Sequence, residues 1–292
     1  MQTLESLKER IGTVELLQSV VRTMKTLAAV SIRQHEKAIE SLADYSKTIE
    51  MGLSVVLREG LDETVEKTQL RDGCLGAIVI GSDQGLCGRF NEQIVAHSLE
   101  KLKLIEPVES RRIMVCVGTR AGLYLAESGE KVEECHSAPV SATGIIPAVQ
   151  KILFKIEGWQ TRFHLNKIVL FYNHFLSGAS YRPEHLNLIP LDRTWLRNLA
   201  DRPWQGGTIP TFTMDRRRLF TLLVRQSLFI SLYRAFAESL ASENAARLAS
   251  MQVAERNIGE RLEELNFRYR DLRQSTITEE LLDIVAGFEA MT

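Results

Sequence analysis

LASMQVAERNIGERLEELNFRYRDLRQSTITEELLDIVAGF, residues 248–288, decides how the rest of the chain is read. Leu248, Met251, Ile258, Leu262, Leu265, Tyr269 and Leu272 recur at steps of three and four, with Glu255 the one charged interruption. Such a repeat keeps one narrow apolar stripe facing a partner and winds two helices into a left-handed supercoil. Then the phase slips. Ile277, Leu281, Ile284 and Phe288 restart the pattern one position late, and one residue turns a helix by about 100°. Beyond Leu272 the helix therefore stops facing the same partner. With Leu282 and Val285 added, its last turns are apolar over more than one stripe and call for a sheath. A frayed end with stray hydrophobes is the alternative; against it, Thr278-Glu279-Glu280 lead into a well-formed apolar run. All of Thr211–Thr292 lacks proline, holds only Gly259 and Gly287, and is dominated by Ala, Leu, Glu, Arg and Gln, the strong helix formers. An unbroken helix of that length would run roughly 120 Å, beyond an ordinary globular helix and suited to a coiled coil.

The other end of the chain supplies a partner. Alternate steps of three and four from Leu4 visit Leu4, Leu7, Ile11, Val14, Gln18, Val21, Lys25, Ala28, Ile32, His35, Ile39, Leu42, Ser46, Ile49, Leu53 and Val56, twelve of sixteen being apolar with no slip. The exceptions are Gln18, Lys25, His35 and Ser46, and polar seam residues can fix register at a cost in stability. His35 has no second His or Cys at ligand spacing, so a partly exposed side chain at a loose crossing is expected there rather than a metal ligand. Two single-seamed helices at opposite ends of one chain pair most economically with each other, antiparallel. The longer C-terminal helix must then overhang, and the slip after Leu272 puts the overhang at its C-terminal tip.

Between them the period changes. Leu75–Ile80, Ile113–Val117 and Lys167–Tyr172 are short continuous runs rich in β-branched residues, read as buried strands, and Leu186–Pro190 as an edge strand. Phe90–Leu104, Arg120–Glu127 and Ile146–Trp159 read as helices. The alternation predicts a mainly parallel sheet covered on both faces. Residues 61–72 read as a polar linker and 192–210 as a loop into the last helix. The fold class is thus α/β with a long antiparallel coiled coil, in three segments: 1–60, 61–210 and 211–292.

Composition narrows the function. The 292 residues are 45% hydrophobic and 25% charged with net charge −1, an ordinary balance with no basic field for nucleic acid. No apolar run near 18 residues is evident, so no membrane span is expected. Cys74, Cys87, Cys116 and Cys135 show no CxxC spacing, and buried reduced cysteines are expected rather than a metal site. The histidines are scattered and no GxSxG or HExxH occurs, so no catalytic constellation emerges.

After the first strand comes Gly81-Ser82-Asp83-Gln84-Gly85-Leu86-Cys87-Gly88-Arg89-Phe90-Asn91. A glycine-rich turn between strand and helix can hold a phosphate. Its spacing, GxxxGxxG with no GK[ST], is not a nucleotide fingerprint, and a tight strand-to-helix turn is the simpler reading. SDQGLCGRFN resembles the SDRGLCGGLN motif of the gamma subunit of F-type rotary ATP synthases. Met24–Glu36, MKTLAAVSIRQHE, resembles that family's MKMVAAAKLRRAQ segment, and RQSTITEELLDIVAGFEA is similar to its RQAAITQELLEIVSGAEA ending. Order and spacing agree, so the resemblance spans essentially the whole chain.

The resemblance implies an antiparallel coiled coil of the terminal helices with a Rossmann-like α/β domain between them. It implies a non-catalytic central-stalk rotor, one copy per complex, without cofactor or metal. The rotor would couple ion flow through a membrane c-ring to ATP synthesis or hydrolysis on a hexamer of alpha and beta subunits, beside an epsilon subunit. Met24, Lys25, Arg273, Gln274, Thr278 and Glu280 would then contact a catalytic beta subunit. Leu281, Leu282, Ile284, Val285 and Phe288 would form the bearing tip, and Ser82, Asp83, Gly85, Leu86, Cys87, Gly88 and Asn91 the loop motif. Gln84 stands where the motif has arginine and Arg89 where it has glycine, and Val30-Ser31-Ile32 and Gln34-His35 stand where lysines and arginines are common. Arg22, Lys25, Arg33 and Lys37 remain. This drift marks a divergent branch in which sodium as well as protons is open as the coupling ion. MQTLESLKER has neither a signal nor a transit layout, so a bacterial source is expected, with the complex on the cytoplasmic face of the plasma membrane. An enzyme using the α/β domain and a static coiled-coil tether are the competing classes. The first lacks a constellation; the second has no use for the slip and the apolar tip.

Overall fold

The computed structural model describes residues 3–58, 73–163, 165, 167–204 and 211–289. The expected linker at 61–72 lies outside them, as do Gly206, Gly207 and Pro210 of the expected loop. Two long helices, α1 (Leu4–Arg58) and α6 (Arg216–Glu289), bracket a five-stranded sheet. The chain groups into two compact units, Met1–Ala28 with Leu248–Thr292, and Ala29–Arg247.

In the first unit the two seams meet. Every seam position from Leu4 to Ala28 and from Leu248 to Leu272 is withdrawn from solvent, with Leu7, Ala28, Met251 and Leu265 fully buried. Off the seam, Leu16 is 68% exposed and Leu17 51%. Two of the polar interruptions, Lys25 and Glu255, pair with each other. Glu255 accepts from Lys25 Nζ through one oxygen and from Arg22 Nε at 3.0 Å through the other. With Lys25 level with Glu255, antiparallel steps bring Val14 level with Leu265, Leu7 with Leu272 and Leu4 with Thr276. Among the residues of α6 whose side chains are described, Thr276 is the last half-buried one, and residues 277–286 are all exposed. The overhang inferred from the slip is thus present, about 20 Å of helix over residues 277–289.

The second unit contains β1 (Leu75–Ile80), α2 (Phe90–Ile105), β2 (Arg112–Val117), α3 (Thr119–Glu127), β3 (Val132–His136), α4 (Ala142–Phe163), β4 (Lys167–Ser177), β5 (Ser180–Ile189) and α5 (Arg193–Ala200). The sheet order is β3-β2-β1-β4-β5, parallel except for β5 against β4. Alternate strand residues serve opposite faces. Ile78, Ile80, Val115, Val117, Ile168 and Leu170 pack with α4 residues Ile145, Val149 and Ile152 and with Leu232, Phe236 and Leu240 of α6. Ala77, Val79, Met114, Cys116, Val169 and Phe171 pack with Ile94, Val95 and Leu102 of α2 and Ala121 and Leu125 of α3. In this unit too the long helices run oppositely: Tyr45 donates to Gln226 at 2.9 Å and Arg216 Nε to the Val56 carbonyl at 3.1 Å. Asp215 caps α6 by accepting from Arg218 N at 3.0 Å.

Several expectations are corrected. Residues 193–200 are a helix, not a loop: Asp192 caps it through Thr194 N at 2.8 Å, and its Leu196 and Leu199 bury against Leu53 and Leu57. β3 was not expected, and β5 begins at Ser180 rather than Leu186. His35 is 2% exposed, not loosely packed; burial lowers its pKa, and its Nδ1 has no partner among the described residues. Cys135 is exposed and Cys74 half-buried, so only Cys87 and Cys116 fit the expectation of buried thiols. An 18-residue stretch within Arg216–Ala286 reaches a mean hydropathy of 1.2, against the expectation that no such run exists. Only 22% of that stretch is buried; Phe220, Leu223 and Val224 pack, partly buried, with Leu53, Leu57, Leu196 and Leu199, and Leu232, Ala235 and Phe236 are buried against the sheet.

Candidate functional site

The loop motif is a joint. Its Ser82 is fully buried: the backbone N–H donates to Asn91 Oδ1 at 2.9 Å, and Asn91 Nδ2 returns a bond to Ser82 Oγ at 2.8 Å. Asn91 also donates to Cys87 Sγ at 3.6 Å, and burial pushes the Cys87 thiol up. Asp83 reaches further. Its two carboxylate oxygens accept from Thr119 N at 2.8 Å and Ala138 N at 2.9 Å, tying together the loops that follow β1, β2 and β3. An anion from the chain itself thus occupies the N-terminus of α3, where a phosphate would be drawn. Gly81 and Gly118 permit the close approach: a Cβ on Gly81 would lie 2.3 Å from Ala121 Cβ, and Gly118 has φ +102° with Ser82 N 2.6 Å from its would-be Cβ. Leu86 adopts φ +61°, rare for a residue with a side chain, and stands 61% exposed. Gly85 and Gly88 flank it, and Gly85 offers its carbonyl to Arg247 at a long 3.5 Å. Arg89, the departure from the family motif, pairs with Glu92 at 2.8 Å on the surface.

The seat under this joint was not foreseen. Open parallel sheets bind ligands at the carboxyl end of the strands, where the order reverses direction, here between β1 and β4. Phe90 fills that end, fully buried against Tyr181, Cys87 and Ala246. Asn173 donates to the Phe90 carbonyl at 3.3 Å, and Ser242 donates to the Asn173 carbonyl at 3.0 Å. Beside it Glu243 holds Arg247 at 2.6 Å; burial raises the Glu243 pKa against the pull of that guanidinium. Ala235 to Arg247 is buried at every residue but Asn244. The sequence carried one signal of it, the run of small residues Ala235, Ala237, Ala241, Ala245 and Ala246, which lets a helix approach other backbone closely. Among the described residues no group of three or more His, Cys, Asp or Glu could hold a metal ion.

The remaining predicted contact residues lie in the other unit. Met24 is half-buried, and Lys25 is engaged with Glu255 rather than free. Arg273, Gln274, Thr278 and Glu280 are all exposed on the overhang side of the seam. Thr278 Oγ1 turns back to the Gln274 carbonyl at 2.9 Å. Ile277, Leu281, Leu282, Ile284 and Val285 are 46%, 57%, 62%, 64% and 54% exposed, an apolar surface with no cover among the described residues. The side chain of Phe288 lies outside the described residues.

A family model described as ATP synthase matches residues 3–291. An ATP synthase gamma chain from Sinorhizobium fredii is 27% identical over all of both chains, and one from Trichormus variabilis 29% identical over all of both. Among solved structures, a chain of the Euglena gracilis mitochondrial ATP synthase (OSCP/F1/c-ring) superposes with TM-score 0.66 at 17% identity, covering 99% of this chain and 94% of that one. A central stalk/c-ring chain from Tetrahymena thermophila gives 0.59 at 21% identity over 80% and 99%. With a family model spanning nearly every residue, full-length gamma-chain relatives, and a paired-helix, five-stranded architecture shared with solved synthase chains, this chain belongs to the gamma-subunit family of the F-type ATP synthases.

Proposed function

We propose that this chain turns inside its complex and does no chemistry itself. The observation that carries the reading is the end of α6, where polar Arg273 and Gln274 stand exposed on the last paired turn and Thr278, Glu280 and apolar Leu281, Leu282, Ile284 and Val285 project from the unpaired helix beyond Thr276. A single helix presents a different face to each member of a ring of subunits. It can therefore bias each toward a different state, provided its contact energy differs between states. Arg273 offers five donors in a fixed fork, suited to a carboxylate reached in some orientations and lost in others. The partners are the alpha and beta subunits, the epsilon subunit and a membrane c-ring; the solved relatives are described as a central stalk with c-ring and as an OSCP/F1/c-ring assembly. On this reading the complex works at the cytoplasmic face of a bacterial plasma membrane. The non-catalytic role is supported by the filled strand ends at Phe90 and Asn173 and by Asp83 capping α3.

The test is Arg273→Ala with Gln274→Ala in the assembled complex. Subunit stoichiometry should be unchanged and steady-state ATPase at saturating ATP lowered. Full turnover in a fully assembled mutant would leave Arg273 a solvated surface residue and remove the catch from the mechanism.

A further inference from the structure

Two of the four cysteines are neighbours. Cys116 of β2 and Cys135 of β3 are register partners on adjacent parallel strands, so their side chains leave the same face of the sheet. A β-bulge puts them opposite each other. Met114 pairs with Val132, but Val115 pairs with Glu134, so Glu133 is the extra residue. Without it Cys116 would face Glu134. Bulges re-aim side chains and recur beside functional groups. Both sulfurs converge on one acceptor, the Gly118 carbonyl, at 3.4 Å from Cys116 and 3.7 Å from Cys135. Gly122 of α3 keeps the space above them open: a Cβ there would be 3.0 Å from the Cys135 sulfur and 3.9 Å from that of Cys116. Adjacent strands lie about 4.8 Å apart, inside the Cα separation of about 4.4–6.8 Å that a disulfide spans. Access is one-sided. Cys116 is fully buried while Cys135 is exposed on the edge strand.

We infer that Cys116 and Cys135 form an oxidisable dithiol, converted by a small-molecule disulfide of the glutathione-disulfide kind into a bridge between β2 and β3. The exposed Cys135 sulfur, as thiolate, attacks one sulfur of the oxidant, breaks its S–S bond and releases one small thiolate, which takes a proton. The mixed disulfide on Cys135 lies beside Cys116. The Cys116 sulfur, losing its proton to solvent, attacks Cys135 Sγ and expels the second small thiolate. Two protein thiols are oxidised and one small disulfide is reduced to two thiols. Burial raises the pKa of both protein thiols, so the thiolate fraction is small at neutral pH and the exchange is slow.

The full-length chain, free of reductant, is incubated with excess glutathione disulfide, and free thiols are then counted and mapped by alkylation and mass spectrometry. The thiol count should fall from four to two. The intact mass should drop by two hydrogens, the Cys116 and Cys135 peptides should be joined, and dithiothreitol should reverse all of it. Cys116→Ser should stop the reaction at a stable glutathione adduct on Cys135, with circular dichroism confirming the fold. The unaltered chain decides alone should that variant misfold. Four surviving thiols, a persistent adduct on Cys135 in the unaltered chain, or a bridge to Cys74 or Cys87 would overturn the assignment.

Discussion

Asp83 carries more of the α/β unit than its size suggests, and its replacement by alanine can be worked through. Two backbone N–H groups lose a charged acceptor at 2.8 Å and 2.9 Å. Hydrogen bonds to charged groups contribute about 1.5–3 kcal/mol each. Thr119 is exposed, so water takes up its N–H and the low end applies; Ala138 is half-buried, so its loss lies nearer the high end. Asp83→Ala should therefore cost about 4 kcal/mol, a fall in thermal midpoint of about 8–16 °C for a unit of this size. Asp83→Asn keeps one carbonyl acceptor but turns an NH2 toward the other donor, and should cost about half as much. Trp159, Trp195 and Trp204 all lie within Ala29–Arg247, so urea unfolding followed by tryptophan fluorescence reports on this unit. A loss below about 1 kcal/mol for Asp83→Ala, with an unchanged denaturant slope, would mean the three loops hold together without the carboxylate.

Three further outcomes are expected. Gly81→Ala should destabilise the same unit by about 2–3 kcal/mol through overpacking, since the new Cβ meets Ala121 Cβ at 2.3 Å; a neutral result in the same urea assay would show that α3 yields freely. Lys25 and Arg22 lower the Glu255 pKa, so its stabilising effect is present above the unfolded value of about 4.3 and fades as pH falls through the lower folded value. The gap in urea midpoint between wild type and Glu255→Gln, followed by circular dichroism, should be open at pH 7 and closed in strong acid; a gap independent of pH would remove the ion pair as its cause. Deleting residues 277–292 should reduce aggregation of the isolated chain by light scattering, because Leu281, Leu282, Ile284 and Val285 stand uncovered; unchanged scattering would place the sticky surface elsewhere.

What the sequence disclosed follows from what its physics repeats. Both seams were legible because a 3.5 period held for many turns, and every position it named from Leu4 to Ala28 and from Leu248 to Leu272 is at least half-buried. The central strands were legible because strands buried on both faces are continuous apolar runs. β3 escaped because VEECH is an edge strand whose Glu133, Glu134 and Cys135 are exposed, leaving no apolar run to find. β5 begins as SYRPEH, an edge strand with proline in it, and shows neither period clearly. α5 is eight residues with only two buried leucines, too short for periodicity to register. The loop motif was legible as a tight turn, yet the roles of Asp83 were not. Its partners lie 36 and 55 positions downstream, and only the sheet order brings them to it.

The seam residues that looked like flaws settle how far the tip reaches. Lys25 and Glu255 each interrupt an apolar stripe, and singly each would weaken it. Together they discriminate between registers. Sliding the helices by one heptad in either direction keeps apolar against apolar almost everywhere, so the hydrophobic seam alone cannot refuse it. The same slide sets Lys25 against Leu248 or Leu262 and leaves the half-buried Glu255 without its two cations, so the slid register loses both charge-assisted hydrogen bonds. Polar seam positions are known to act in this way, trading stability for register. Here register has a consequence beyond pairing. A slide of one heptad is about 10 Å of helix, half the overhang, and would either cover Ile277 to Asp283 or bare Arg270 to Thr276 as well. The length of helix offered to partners is therefore set at Glu255, about 20 residues before the overhang begins, by one carboxylate between two cations.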